Sequence, residues 1–531
     1  MTEIVATQTP PILHGPSEKE RKYDRQLRLW AASGQAALES ANILVINAGS
    51  GTVATETLKN LILPGIGRFT IFDEATVQEA DLGVNFFLDE ASLGKPRAQS
   101  CTELLLELNP EVEGHWHPKP EAPLNLPALL ASSPIFTIIL YAHPIAPSDL
   151  AVLTDYGQQH KTPLVAVHSA GFYSYFRIRL PGAFPIVDTH PDETATTDLR
   201  LLAPWPELTA FARDLTVDLD ALDNHLHGHV PYVALLLHYL ERWRADHDGA
   251  DPATYKEKTA FRATVAAGAR RDNPEGGEEN FDEAVGAVLR NIERPSLPSG
   301  LREVFRYEPK GFECKSGFWT VARAVQQFYE KHQCLPLSGK VPDMKAQSSV
   351  YVQLQTLYKT KARQDAAEVL ANVRALPGGE DIDAAEVDLF CKNAAFVKLI
   401  NKTAPGEDRL VKVFEEELAQ DENAEVLMQP LSLIPIYLAL RATAHASGAA
   451  SAEAILANVD QLVPDASKHA RVARIAEELA RTGGGELHNI SALTGGMVAQ
   501  EMIKIITKQY VPIDNTCIFD GISSRCQVLC L

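Results

Sequence analysis

The sequence predicts an α/β fold: a Rossmann-like domain with a mainly parallel sheet, interrupted by a large helical insertion. Three observations carry this. Short apolar runs alternate with helix-like stretches in the first third of the chain. A glycine-bearing turn, "NAGSGTVA" (47–54), follows the first of those runs. After about residue 180 the apolar spacing becomes helical, until sheet-like runs return near the C-terminus.

In chain order, residues 1–20 are polar and Pro-containing, and read as a loose N-terminal arm rather than a secretory leader. "NILVIN" reads as a buried strand, 53–63 as a helix and "RFTIFD" (68–73) as a second strand. A helix fits 96–108, with Pro96 near its first turn, where a missing N–H costs least. "IFTIILY" and "PLVAVH" are further continuous apolar strands, as expected for a parallel sheet covered on both faces. Helical spacing then marks 230–243, 254–270, 281–292, 318–332, 349–373, 384–400 and 464–481. Punctuation such as "RDNPEGGEEN" and "LPGGEDID" separates them. A helix at 491–508 and the short strands "TCIFDG" and "CQVLCL" follow. The expected organisation is an arm (1–20), the first part of the α/β domain (21–180), a helical insertion (181–485) and a segment completing the first domain (486–531).

At 531 residues the chain is too long for one core. Its net charge of −20 opposes a nucleic-acid partner, which needs cations to neutralise phosphates. Residues 122–148 carry no Asp, Glu, Lys or Arg, but Pro123, Pro127, Pro134, Pro144 and Pro147 break the run, so no membrane helix is expected there. Seven scattered cysteines suit a reducing compartment, cytoplasm or nucleus.

Gly49, Gly51 and Ala54 fit the G-x-G-x-x-G/A spacing of a nucleotide-binding turn, where glycine lets backbone approach a phosphate at a helix N-terminus. Asp73 follows about 20 residues on, where an acidic side chain can meet ribose hydroxyls. Two readings stay open on spacing alone: a nucleotide site, or glycines that only shape the turn with Asp73 capping a loop. A dinucleotide-dependent oxidoreductase also fits the turn, although no His, Lys or Tyr stands out as its proton donor.

"KYDRQLRLW" (22–30), "GQAALESANILVI", "ETLKNLILPGIGRFTIFD", "NFF" and "SLGKPRAQS" resemble the adenylation domain of the ubiquitin-activating-enzyme, ThiF-like family. The closing "ALTGGMVAQEMIKIITKQYVPIDNTCIFDG" resembles the segment that completes that domain. "TYKEKTAFR", "FWTVARAVQQF" and "LPLSGKVPDM" narrow the likeness to regulatory, non-cysteine subunits of the heterodimers that activate the Nedd/Rub modifier. The resemblance implies a cysteine-bearing catalytic subunit and that modifier as partners, with ATP and Mg²⁺ held in the partner subunit.

Against the family pattern, Thr52 and Ala54 replace glycines, Ala75 replaces the second Asp of an Asp-x-Asp, and Val84 stands where an arginine meets phosphates. Asn85 stands for a glutamine and Arg97 for a lysine. No carboxylate follows "IFTIILY" before Asp149, where the family holds Mg²⁺. The resemblance therefore implies a retained fold with a silenced site, in which Gly49, Gly51, Asp73 and Arg97 are vestigial. An autonomous adenylating enzyme is the disfavoured alternative. Arg25 matches the family arginine that crosses to the partner's ATP; read by itself, it is a surface ion-pair former. Tyr23, Leu27 and Trp30 are interface candidates that core packing explains nearly as well, and Gln26 is a further interface candidate. Pro336, Gly339, Pro342, Asp343 and Met344 are either interface residues or shapers of a connecting loop. None of Cys101, Cys314, Cys334, Cys391, Cys517, Cys526 or Cys530 sits in the short C-T context of the family nucleophile. Cys526 and Cys530 are expected on one face of a strand. His225, His227 and His229 alternate in "HLHGH", yet no C-x-x-C accompanies them, so hydrogen bonding at a helix start is expected rather than a metal.

Overall fold

The apolar run Ile43–Ile46 forms β1 (Asn42–Ile46), buried along its whole length because both faces of the sheet are covered. The computed structural model describes residues 17–121, 123–192, 197–271, 277–310, 316–401, 408–422, 424, 428–445 and 450–531. Further strands are β2 (Arg68–Phe72), β3 (Glu113–His117), β4 (Ile138–Ala142), β5 (Leu164–Ala170), β6 (Tyr173–Arg179), β7 (Ala183–Val187), β8 (Val397–Asn401), β9 (Thr516–Asp520) and β10 (Arg525–Leu529). One sheet has eight strands in the order β10-β9-β6-β5-β4-β1-β2-β3, and β7 pairs with β8 separately. The ladders from β3 through β2, β1 and β4 to β5 are parallel. β6, β9 and β10 continue the sheet with antiparallel pairing. The strand order reverses at β1 and β4, so the carboxyl end of β1 opens onto the crevice where such sheets bind ligands.

The chain divides into two compact units, one comprising residues up to 184 with 400–531, the other 185–399. This differs from the expected insertion of 181–485. The reason lies in the helix Ile434–Ala442, apolar on nearly every face. It shares a core with Tyr173, Tyr175 and Ile518 of the sheet and with Val459 and Leu479 of neighbouring helices. Helical spacing reports that a segment is helical and says nothing of which core it joins. The stretch 384–400 also differs: its helix ends at Lys392, and β8 follows. Of the N-terminal arm, residues 1–16 lie outside the described residues, and Glu18–Lys22 is a helix capped reciprocally by Ser17 and Glu20.

In the first unit, the helix His488–Thr507 crosses the helix Thr52–Ile62 at close range. A Cβ on Gly495 would come within 2.9 Å of the Glu56 Cβ and the Thr57 nitrogen, so only glycine permits the approach. The second unit is helical, with Leu235, Leu240, Phe261, Phe281, Val288 and Tyr358 in its core. Its 335–344 loop is tied within the unit. Asp365 accepts from the Leu337 amide at 3.0 Å, and Arg200 bonds the Leu335 carbonyl. Among the described residues no helix is long and apolar enough to cross a membrane.

Candidate functional site

The turn after β1 has the geometry its glycines predict. Gly49 and Gly51 have φ of +59° and +66°, and Gly51 caps the helix Thr52–Ile62. A Cβ on Gly51 would lie 2.6 Å from the Asn47 side chain, so this position excludes other residues on two counts.

The helix N-terminus so formed is occupied from within the chain. Glu486 Oε1 accepts from Ser50 Oγ at 2.9 Å and the Thr52 amide at 3.2 Å. Glu486 Oε2 accepts from the Val53 amide at 2.8 Å and Ser491 Oγ at 2.5 Å. Burial pushes this carboxyl above its usual value, and the donors from Ser491, Ser50, Val53 and Thr52 oppose the shift. Two donors on each oxygen are the pattern of a carboxylate, which has only acceptors to offer. Glu486 had no signal in the sequence beyond the "GGG" before it, because its partners in the turn, Ser50, Thr52 and Val53, lie more than 430 positions away.

Asp73 and Arg97 are committed to each other. Arg97 donates to Asp73 through Nε at 2.7 Å and Nη2 at 3.2 Å, and to Asp81 through Nη1 at 3.2 Å. Asp73 also accepts from the Ala75 amide, and Asp81 from the Gln78 amide. Burial alone would lower the Arg97 pKa; Asp73 and Asp81 outweigh it and hold the guanidinium above its ordinary value. Val84 is half-buried and its carbonyl accepts from His488 Nδ1. Asp149 lies in the first turn of the helix Pro147–His160, suited to the helix dipole. The residues around the turn therefore do not fit an ATP–Mg²⁺ group: the Thr52 and Val53 amides are taken by Glu486, Asp73 is bonded to Arg97, and the side chain at 84 is an uncharged valine.

Burial works against a thiolate at several of the cysteines. Burial pushes Cys101 up to about 11, and Cys391 and Cys517 up to about 12. Cys334 and Cys526 are raised as well, again by burial. Cys101 is fully buried, near Thr55 and Asn85. Cys526 lies on β10 and Cys530 just past its end; Cys314 lies outside the described residues. His227 pairs with Glu278 at 2.8 Å, whereas the His225 and His229 rings lie tilted against each other, centroids 4.3 Å apart. Among the described residues no His, Cys, Asp and Glu cluster is arranged to hold a metal ion.

Arg25 stands apart from all of this. It is exposed and makes no hydrogen bond or ion pair among the described residues, although Lys19, Lys22 and Arg28 beside it pair with Glu39, Glu111 and Asp24. Gln26 and Leu27 are half-buried. Tyr23 and Trp30 are both buried in the unit's own packing. The Tyr23 ring packs against Gly65 with its hydroxyl bonded by Asn109, and Trp30 Nε1 donates to Gln35. Pro336 and Met344 are likewise buried, Met344 in the core of the second unit. Gly339 and Pro342 are half-buried, and Asp343 is exposed.

Beside the turn, β4 and β5 bring His143 and His168 together with ring centroids 5.5 Å apart, next to Tyr175 and His445. Burial depresses both imidazoles, His168 to about 4, with Arg441 adding to the effect and hydrogen bonds to the Ala444 and Leu440 carbonyls opposing it. A histidine held neutral in the fold contributes no penalty above pH 6.5 and costs stability as pH falls from there towards its folded value. His168 is thus expected to cost the wild type about 2 kcal/mol between pH 7.5 and pH 5. Urea denaturation at the two pH values checks this, since His168→Leu should remove that part of the loss.

Comparison with known proteins agrees with this topology. The family model described as "ThiF family" matches residues 23–531. The NEDD8-activating enzyme E1 regulatory subunit of Gallus gallus is 36% identical over 540 residues, covering 96% of this chain and 97% of that protein. Its counterpart in Danio rerio is 35% identical over 541 residues, covering 96% and 98%. That of Drosophila melanogaster is 34% identical over 539 residues, covering 96% and 97%. With likeness of this extent running through both compact units, the chain belongs to the ThiF family, among the regulatory subunits of NEDD8-activating enzymes E1.

Proposed function

We propose that this chain is the catalytically silent member of a two-chain activating enzyme. It binds a cysteine-bearing catalytic subunit and supports ATP-dependent adenylation and thioester transfer of a Nedd/Rub-type modifier in the partner's site. The observation that carries the reading is the mutual neutralisation of Asp73 and Arg97: the two side chains best placed to serve a nucleotide are bonded to each other out of solvent. The raised thiols support the same conclusion, since a thioester needs a thiolate.

What remains free to act is Arg25. Its planar guanidinium presents paired N–H groups to phosphate oxygens. Placed on a neighbour's ATP, it stabilises charge at the transferring phosphate from another subunit, as arginine fingers do. ATP and Mg²⁺ belong, on this reading, to the catalytic subunit. The six described cysteines are all unpaired thiols, which supports a reducing compartment, cytoplasm or nucleus.

The test is ATP–pyrophosphate exchange and thioester formation. The purified chain is expected to give neither with any ubiquitin-like protein, and both are expected once a cysteine-bearing partner is added. Exchange by the chain alone overturns the proposal.

A further inference from the structure

We infer that Glu486 is a built-in anion, a carboxylate that permanently occupies the phosphate position of the glycine turn and ties the segment after the "GGG" loop to the first strand–helix unit. The inference rests on the reading of the chain as catalytically silent and gives that silence a physical occupant.

The ligand set is the one a phosphate would use. It comprises two successive amides at the start of an 11-residue helix, Thr52 and Val53, and the hydroxyl of Ser50 in the turn itself. Ser491 closes the site from the other side. The fully buried Thr52 adds a hydroxyl with no partner among the described residues, so the turn retains more hydrogen-bonding capacity than Glu486 uses. The backbone around Glu486 is itself fastened: the Gly171 amide donates to the Gly485 carbonyl at 2.8 Å, and Gly171 and Glu486 form an isolated parallel bridge. A cavity of about 240 Å³ borders both Ser50 and Gly485, with His168, Thr443 and Thr482 among its walls. Glu486 follows Gly485 in the chain and bonds Ser50, and both of those residues border this space. Removing its side chain therefore leaves an anion site with its donors in place and room beside them.

The experiment is pyrophosphate binding by the full-length chain carrying Glu486→Ala, read by thermal denaturation and by calorimetric titration. The wild type is expected to show no saturable response. The variant is expected to melt lower without the anion and to regain about 3 °C with saturating inorganic pyrophosphate, beyond any change in sodium chloride of equal ionic strength. A folded variant that ignores pyrophosphate overturns the inference. Should Glu486→Ala fail to fold, its refolding yield should rise with pyrophosphate and not with matched chloride; equal yields would refute the assignment. The companion variant Ser491→Ala keeps the carboxylate in place and should bind no pyrophosphate; binding there would also refute it. None of these results depends on exchange activity, so the silent-subunit reading stands or falls separately.

Discussion

Arg97→Met is expected to cost about 3–5 kcal/mol of stability, the range for removing one partner of a buried ion pair. The side chains of Arg97, Asp73 and Asp81 are 4%, 2% and 9% exposed, so water cannot replace the guanidinium once it is gone. Two carboxylates would face each other in a low-dielectric interior with, among the described residues, only the Ala75 and Gln78 amides to satisfy them. Methionine keeps much of the volume, which separates loss of charge from loss of packing. Arg97→Lys should fall between the two, because an ammonium keeps the charge and cannot reproduce the fork that reaches both carboxylates. Urea denaturation at neutral pH measures each step. Adding Asp73→Asn to Arg97→Met should cost less than the two single changes summed, since the second removes a charge the first has stranded. Additive losses would mean that the pair does not act as a unit.

The second large effect belongs to activity. Arg25→Ala in the reconstituted complex is expected to slow adenylate formation about 10²–10³-fold, the scale of losing a charge donor aimed at a transferring phosphate. Because Arg25 is exposed and unpartnered among the described residues, the same change should move stability by no more than about 0.5 kcal/mol. Gel filtration should show the heterodimer intact, and single-turnover adenylation should carry the defect. Arg25→Lys should recover only part of the rate. Normal kinetics in Arg25→Ala would withdraw the role assigned to this residue and leave the remainder of the proposal untouched.

Much of the first unit was legible because its signals are local. Four apolar runs read as strands, and the glycine turn announces a strand-to-helix corner whatever its task. The site was legible only as a list of residue types. Asp73 and Arg97 could be marked as nucleotide residues, but their bond to each other spans 24 positions and has no pattern. Glu486 was invisible for the same reason at far greater separation. Tyr23 and Trp30 illustrate a different limit: an aromatic on a short amphipathic segment is equally at home in a core or an interface, and only burial decides. The division near 400 rather than 485 was not legible, because a helix apolar on nearly every face carries no directional stripe to say what it packs against.

The order of strands in the main sheet sets a timetable for synthesis. β9 and β10 are made after every residue of the 185–399 unit, yet they extend the sheet that β1 begins. Translation therefore delivers the uninterrupted second unit, with its own core, before the sheet begun earlier can acquire its final strands. During that interval β6 has an open edge, unpaired along the side that β9 will cover. A nascent chain stalled near residue 510 would present that edge to any chaperone or passing strand, and the vulnerability ends only when the last hairpin emerges.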